Sequence, residues 1–140
     1  MKTSLEKARG ILESGTVTCA LVRGDTVHTS TERGVKPLLA WINEGTDLKN
    51  FSAADKVVGK ATAHLYCLLG VKEVYAAVIS TAAVKILLRH GIAVLYAEEV
   101  KFIWNHRRTG PCPMEDAVRD IDDPTLALDA IRTAIARLKY

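Results

Sequence analysis

Leu5, Ala8, Ile11 and Leu12 recur at the three-and-four spacing of a helix that buries one stripe, with Thr3/Ser4 before the first and Gly15 after the last. That pattern predicts a short amphipathic helix over 4–14. The period then changes to two. Val17, Cys19 and Leu21 alternate with Thr18, Ala20 and Val22, and Gly24-Asp25 separates this run from Thr26 to Ser30. Two short runs joined by a two-residue turn containing glycine predict a β-hairpin. Arg23-Gly24-Asp25 spells an adhesion motif, but turn chemistry accounts for the glycine. Val35 to Glu44 returns to helical spacing, with Pro37 in the first turn, where its missing N–H costs little, and Gly45 beyond the end.

Residues 52–69 also read as a helix, closed by Gly70, but its first two turns break helical rules. Lys56 and Lys60 share a face at i and i+4, where like charges repel by about 0.2–0.5 kcal/mol. Gly59 between them costs roughly 1 kcal/mol against alanine. A backbone or ligand that approaches Gly59 closely, with negative charge near both lysines and the helix N-terminus, would offset both terms. Close packing of a neighbouring element on Gly59, with both lysines in water, is the plainer explanation.

Val74 to Ile79 is a β-branched apolar run of strand length, Ser80-Thr81 cap a helix reaching Arg89, and Ile92 to Ala97 is a second apolar strand after Gly91. Strand, helix, strand at this spacing predicts parallel neighbours joined by a right-handed crossover, and runs apolar on both faces predict a sheet covered on each side. From 98 to 111 the pattern is ambiguous: Val100, Ile103 and Trp104 fit a helix, while Phe102 fits a strand. Pro113 to Ile121 reads as helical. Asp122-Asp123-Pro124 opens a last amphipathic helix with Leu126, Ala130, Ile131, Ala134, Ile135 and Leu138 inward. The predicted order is α-β-β-α-α-β-α-β followed by helices, a three-layer α/β/α domain with a mixed sheet and an N-terminal β-hairpin. One domain over 1–140 is expected, with a core over 16–123 and flanking helices at 4–14 and 124–139.

Composition agrees with one domain: 140 residues, 49% of them hydrophobic, suffice for a substantial core. A net charge of +3, with scattered basic residues, argues against a nucleic-acid footprint. The charged N-terminus is unlike a secretory signal, and no apolar run is long enough for a bilayer, so a cytoplasmic protein away from membranes is expected. Cys19, Cys67 and Cys112 show no Cys-x-x-Cys spacing and fit reduced thiols. His28, His64, His90 and His106 show no metal-ligand pairing, and no cofactor is implied.

Several residues could carry chemistry. Ser52 and Asp55 match a capping box, and Asp55 is alternatively a catalytic or ligand-orienting carboxylate. Lys56 and Lys60, with Gly59 between them, could grip a phosphate or carboxylate. Ser80 and Thr81 stand where a parallel strand meets a helix, a usual place for ligands and for plain N-caps alike. The stretch Asn105-His106-Arg107-Arg108-Thr109-Gly110-Pro111-Cys112-Pro113-Met114-Glu115 combines guanidinium groups with a thiol at a helix start. Asn105, Arg107 and Glu115 are therefore candidate ligand contacts. Cys112 is a candidate nucleophile or redox thiol, or merely a cap.

The succession of elements resembles the cytidine-deaminase-like fold. Zinc deaminases open two helices with His-x-Glu and Pro-Cys-x-x-Cys. Here the corresponding positions read Asp55-Lys56-Val57 and Ser80-Thr81-Ala82-Ala83, so no zinc ligand is present. Asp-Lys-Val-Val-Gly-Lys-Ala at 55–61 and Cys-Pro-Met-Glu at 112–115 resemble a small uncharacterised prokaryotic family of this fold without a metal centre, over about 16–123. The resemblance implies a pocket that accommodates nucleobases or nucleotides, refitted with Asp55, Lys56, Lys60, Ser80 and Cys112. The leading expectation is zinc-independent binding of a nucleotide or another phosphorylated metabolite, without cytidine deamination. The alternatives are an enzyme using Cys112 or a pocket lysine as nucleophile in group transfer or redox chemistry, and a non-catalytic interaction module, including a homodimer.

Overall fold

A computed structural model describes residues 2–104, 110 and 112–138. The chain runs α1 (Ser4–Glu13), β1 (Cys19–Arg23), β2 (Thr26–Ser30), α2 (Lys36–Glu44), β3 (Ser52–Val58), α3 (Lys60–Leu69), β4 (Glu73–Ser80), α4 (Thr81–Arg89), β5 (Ala93–Val100), α5 (Pro113–Ala117) and α6 (Pro124–Leu138). The strands form one mixed sheet in the order β2-β1-β3-β4-β5. β1 is antiparallel to both β2 and β3, whereas β3, β4 and β5 are parallel.

Local chemistry explains most boundaries. Thr3 and Glu6 complete a reciprocal capping box on α1, and Gly24 makes the hairpin turn with φ 60. Gly45 and Gly70 close α2 and α3 in the left-handed region that glycine enters without strain. On one face of the sheet, Leu5, Ala8 and Leu12 of α1 pack against Ala20, Val22, Ala54 and Tyr75. Burial of each leucine there contributes about 1.5–3 kcal/mol. Arg9 adds its guanidinium 4.0 Å above the Tyr75 ring. The other helices lie on the opposite face, over a larger core that includes Leu21, Ala53, Val58, Leu65, Tyr66, Ile79 and Leu87.

Residues 52–69 are not one helix. The first seven are the central strand β3, and Gly59, expected inside a helix, is the boundary residue that starts α3. β3 is paired on both edges and buried on both faces, so it lacks the alternation that marks a half-exposed strand. Its alanines and charged residues suit a helix locally, but two-sided pairing outweighs that weak preference. The observed order therefore gains a strand, α-β-β-α-β-α-β-α-β, before the last two helices.

Two smaller corrections follow. The helix expected over Pro113 to Ile121 stops at Ala117. The second apolar strand extends to Val100, and most of β5 is exposed rather than covered, because it is an edge strand and α1 packs on β1, β3 and β4. No helix among the described residues is long and apolar enough to cross a membrane.

Candidate functional site

The parallel register pairs Val58 with Ile79, so Gly59 and Ser80 stand side by side at the carboxyl ends of β3 and β4. Both have extended backbones and each begins a helix. Two helix starts, with their free amides and partial positive charge, are thereby brought together. The start of α3 is filled by one of the protein's own groups. Glu115 reaches back from α5, and its carboxylate accepts hydrogen bonds from the Lys60 amide (2.7 Å to Oε1) and the Ala61 amide (2.9 Å to Oε2). A Cβ on Gly59 would lie 2.5 Å from the Glu115 carboxyl carbon. A close approach with negative charge does occur at Gly59, but it comes from a side chain 55 residues beyond Lys60, not from a backbone segment or a ligand, and it leaves Lys56 exposed.

Lys60 is buried as well. Its Nζ donates to the Arg119 carbonyl at 2.9 Å and lies 3.0 Å from Asp122 Oδ1. The Lys60 hydrogen bond and charge hold the Asp122 carboxyl below its ordinary range, with Arg89 also close by. One turn along the same face, His64 Nε2 lies 3.0 Å from the Ile121 carbonyl. His64 is fully buried, and its Nδ1 has no partner among the described residues. Burial pushes its pKa down, partly opposed by the Ile121 carbonyl. Residues 115–122 thus form a polar strap across the first half of α3.

Asp55 occupies a different position. It faces α3 from the middle of the sheet, opposite Cys19 in the antiparallel register. Tyr66 Oη donates to its Oδ2 at 2.7 Å, and the Val57 amide contributes a long 3.4 Å contact to Oδ1. Burial raises the Asp55 pKa to about 7, although Tyr66 and the neighbouring amides pull it down. Burial also raises Cys19 and Tyr66, and the Asp55 charge adds to both effects.

The expected site therefore separates into parts. Gly59, Lys60 and Glu115 converge. Lys56 is exposed on β3 and does not share a helical face with Lys60, since strand and helix present their side chains differently. The Ser52–Asp55 capping box is absent, because both residues lie in a strand and Ser52 donates to Glu73 instead. Ser80 caps α4 by accepting from the Ala83 amide at 3.1 Å. Thr81 donates to Glu99 at 2.8 Å. Cys112 starts α5 without a side-chain cap and packs half-buried against the large core. Asn105 and Arg107 lie outside the described residues.

Tyr66 and the strap contacts of His64 were missed by sequence reasoning. The i,i+4 spacing of Lys60 and His64 was a visible signal for a shared face, whereas Tyr66 becomes the partner of Asp55 only once 52–58 is a strand. Among the described residues no three His, Cys, Asp or Glu side chains group to hold a metal ion. A depression of about 280 Å³ lies elsewhere, between the ends of α2 and α3 and α6, lined by Ile42, Leu48, Leu68 and Leu128 among others. At the start of α3 the Lys60 and Ala61 amides are taken up by Glu115, and at the start of α4 the Ala83 amide is taken up by Ser80.

Comparison with known proteins gives one family. Residues 7–135 match the family model described as TM1506: Domain of unknown function (DUF1893). A crystal structure of a DUF1893 family protein (TM1506) from Thermotoga maritima is similar, with a TM-score of 0.83 and 26% identity. The alignment covers 98% of this chain and 92% of that one. No curated protein matches.

Proposed function

Since the chain belongs to the DUF1893 family, a domain of unknown function, we propose from its own surface that it acts as a non-catalytic contact module whose docking surface is the β5 flank. The observation that carries this reading is a run of exposed apolar side chains on that flank. Leu88 at the end of α4, Leu95 and Tyr96 on β5, and Phe102 and Trp104 just after it are all between 44% and 68% exposed. Aromatic residues bury about 150–250 Å² each when covered. At these exposures the five side chains present roughly 500 Å² in sum, divided between the two faces of the sheet, since Leu95 and Tyr96 are consecutive on β5 and point to opposite sides. β5 is also an eight-residue strand at the end of the sheet, with no strand among the described residues on its outer side, a template for adding one.

Adjacent helix starts at the ends of β3 and β4 support the cytidine-deaminase-like resemblance. A nucleotide or phosphorylated metabolite held between Lys56 and Lys60 loses its geometric support, because Lys56 points away from the strap, Glu115 already occupies the start of α3 and Asp122 already pairs with Lys60. Attack by Cys112 has no neighbouring base to support it among the described contacts.

A docking surface makes few contacts within its own chain. Leu95→Lys combined with Phe102→Lys is therefore expected to leave the unfolding free energy at high dilution within about 0.5 kcal/mol of the parent, as for ordinary surface substitutions. The same variant should bind much less of a dye that reports exposed apolar surface. Loss of folding would place these side chains in the core and end this reading.

A further inference from the structure

We infer that the partner of this flank is a second copy of the same chain, joined β5 to β5 in antiparallel sense about a two-fold axis. This rests on the docking reading and adds the identity of the occupant. A β5 edge needs another sheet edge to pair with, and the chain offers two. β2, at the other end of the sheet, is five residues long and reads Thr-Val-His-Thr-Ser. Pairing β5 with β2 of the next copy is head-to-tail and stops growing only where the rotation between copies completes a ring. Pairing β5 with itself uses one surface twice and closes.

Charge selects the direction. β5 is apolar from Ala93 to Ala97 and acidic at Glu98-Glu99. In-register parallel pairing would set Glu98 opposite Glu98 and Glu99 opposite Glu99, and like charges directly opposite destabilise a sheet. Antiparallel pairing about the middle of the strand lays each acidic end beside the apolar beginning of its partner. An axis at Ala97 sets the two Glu98 residues two residues, or roughly 7 Å, apart along the strand direction rather than directly opposite each other. Glu99 is further occupied on its own chain, accepting from Tyr96 at 2.9 Å and Thr81 at 2.8 Å.

The area is adequate. Edge pairing brings both faces of β5 to the seam, so up to roughly 500 Å² of apolar side chain from each copy, about 1,000 Å² together, is available for burial, near the smallest area of a specific interface. The aromatic content of the flank, Tyr96, Phe102 and Trp104, is the composition found in interface centres. The product is one continuous sheet of ten strands, twice the five of the single chain.

Two measurements on the full chain test this. Light scattering over roughly a hundredfold range of concentration should give a dimer that dissociates on dilution. Leu95→Lys with Tyr96→Lys should weaken it at least tenfold, and Ala97→Pro, which blocks strand pairing, should act in the same direction. In a background with Cys67→Ser and Cys112→Ser, single cysteines placed in turn from Leu95 to Glu99 should form an intermolecular disulfide most readily near Ala97, since only residues beside the axis meet their own copies. A monomer throughout, with the β5 variants still folded, overturns the self-pairing while leaving the docking surface in place. Growing oligomers, a dimer indifferent to every β5 change, or disulfides that peak away from the strand centre overturn it equally. Unfolding of Leu95→Lys/Phe102→Lys would instead strike at the docking reading itself.

Discussion

Asp55→Asn isolates the buried carboxyl at the centre of the sheet. In the folded chain Asp55 holds its proton up to about pH 7, against an ordinary value of 3.8, chiefly because burial penalises the charged form. Between those two values the folded state binds a proton that the unfolded state has released. Stability associated with this group is therefore fully present below about pH 4, falls as pH rises toward 7, and is level above it. At 1.36 kcal/mol per pH unit, the gap amounts to about 4 kcal/mol of destabilisation once Asp55 is ionised. Asparagine cannot ionise and still accepts from Tyr66, but its amide N–H groups need partners, which offsets part of the gain by roughly 1–2 kcal/mol. The net expectation is a variant more stable than the parent by about 2–3 kcal/mol near pH 8 and less stable by about 1–2 kcal/mol near pH 4. Urea unfolding of both proteins across that range measures it, and the difference curve cancels groups such as Asp122, Glu99 and His64 that titrate alike in both. Parallel curves for the two proteins, or a variant weaker than the parent at high pH, would refute the claim that Asp55 pays a burial cost in this fold.

Three further outcomes are expected. Gly59→Ala should cost about 1.5–3 kcal/mol in chemical denaturation, because the new methyl displaces the Glu115 carboxylate from two amides; in an Glu115→Ala background the same change should cost far less, and additive losses would show that the clash is not the cause. His64→Gln should flatten the loss of stability on acidification below the ordinary histidine range, since burial lowers the His64 pKa and the unfolded chain takes up the proton first; an unchanged acid limb by thermal unfolding would contradict this. Cys67, pushed up to about 11 by burial, and Cys19, raised further still, should label with a thiol reagent in native protein many times more slowly than in urea; fast native labelling of Cys67 with an ordinary thiol titration would count against its burial.

How much of this was legible beforehand differs by element. The hairpin turn at Gly24-Asp25, the Pro37 and Gly45 limits of α2, and the unit β4-α4-β5 each rest on residues close together in sequence, so local steric rules predict them. The fold class follows from that order of periods. The docking flank was half visible: the apolar run after Gly91 was recognised as a strand, but nothing local says that it lies at an edge. Exposure depends on which strands the rest of the chain places beside it. For the same reason the open reading of Phe102 against Ile103 and Trp104 could not say which of them would face water.

The oddity at Gly59 marks the boundary between the two kinds of information. From sequence alone, a glycine between two lysines in an apparent helix pointed either to a backbone or anionic ligand close by or to a neighbouring element packed on the glycine with both lysines in water, and propensity and charge did not choose between them. Tertiary structure decided that 52–58 is a doubly paired central strand, that Lys56 and Lys60 therefore part company, and that the anion is Glu115. Helix and strand tendencies of Ser-Ala-Ala-Asp-Lys-Val-Val differ by a few tenths of a kcal/mol per residue. Pairing on both edges and burial on both faces contribute more than that, and they exist only after distant segments have met.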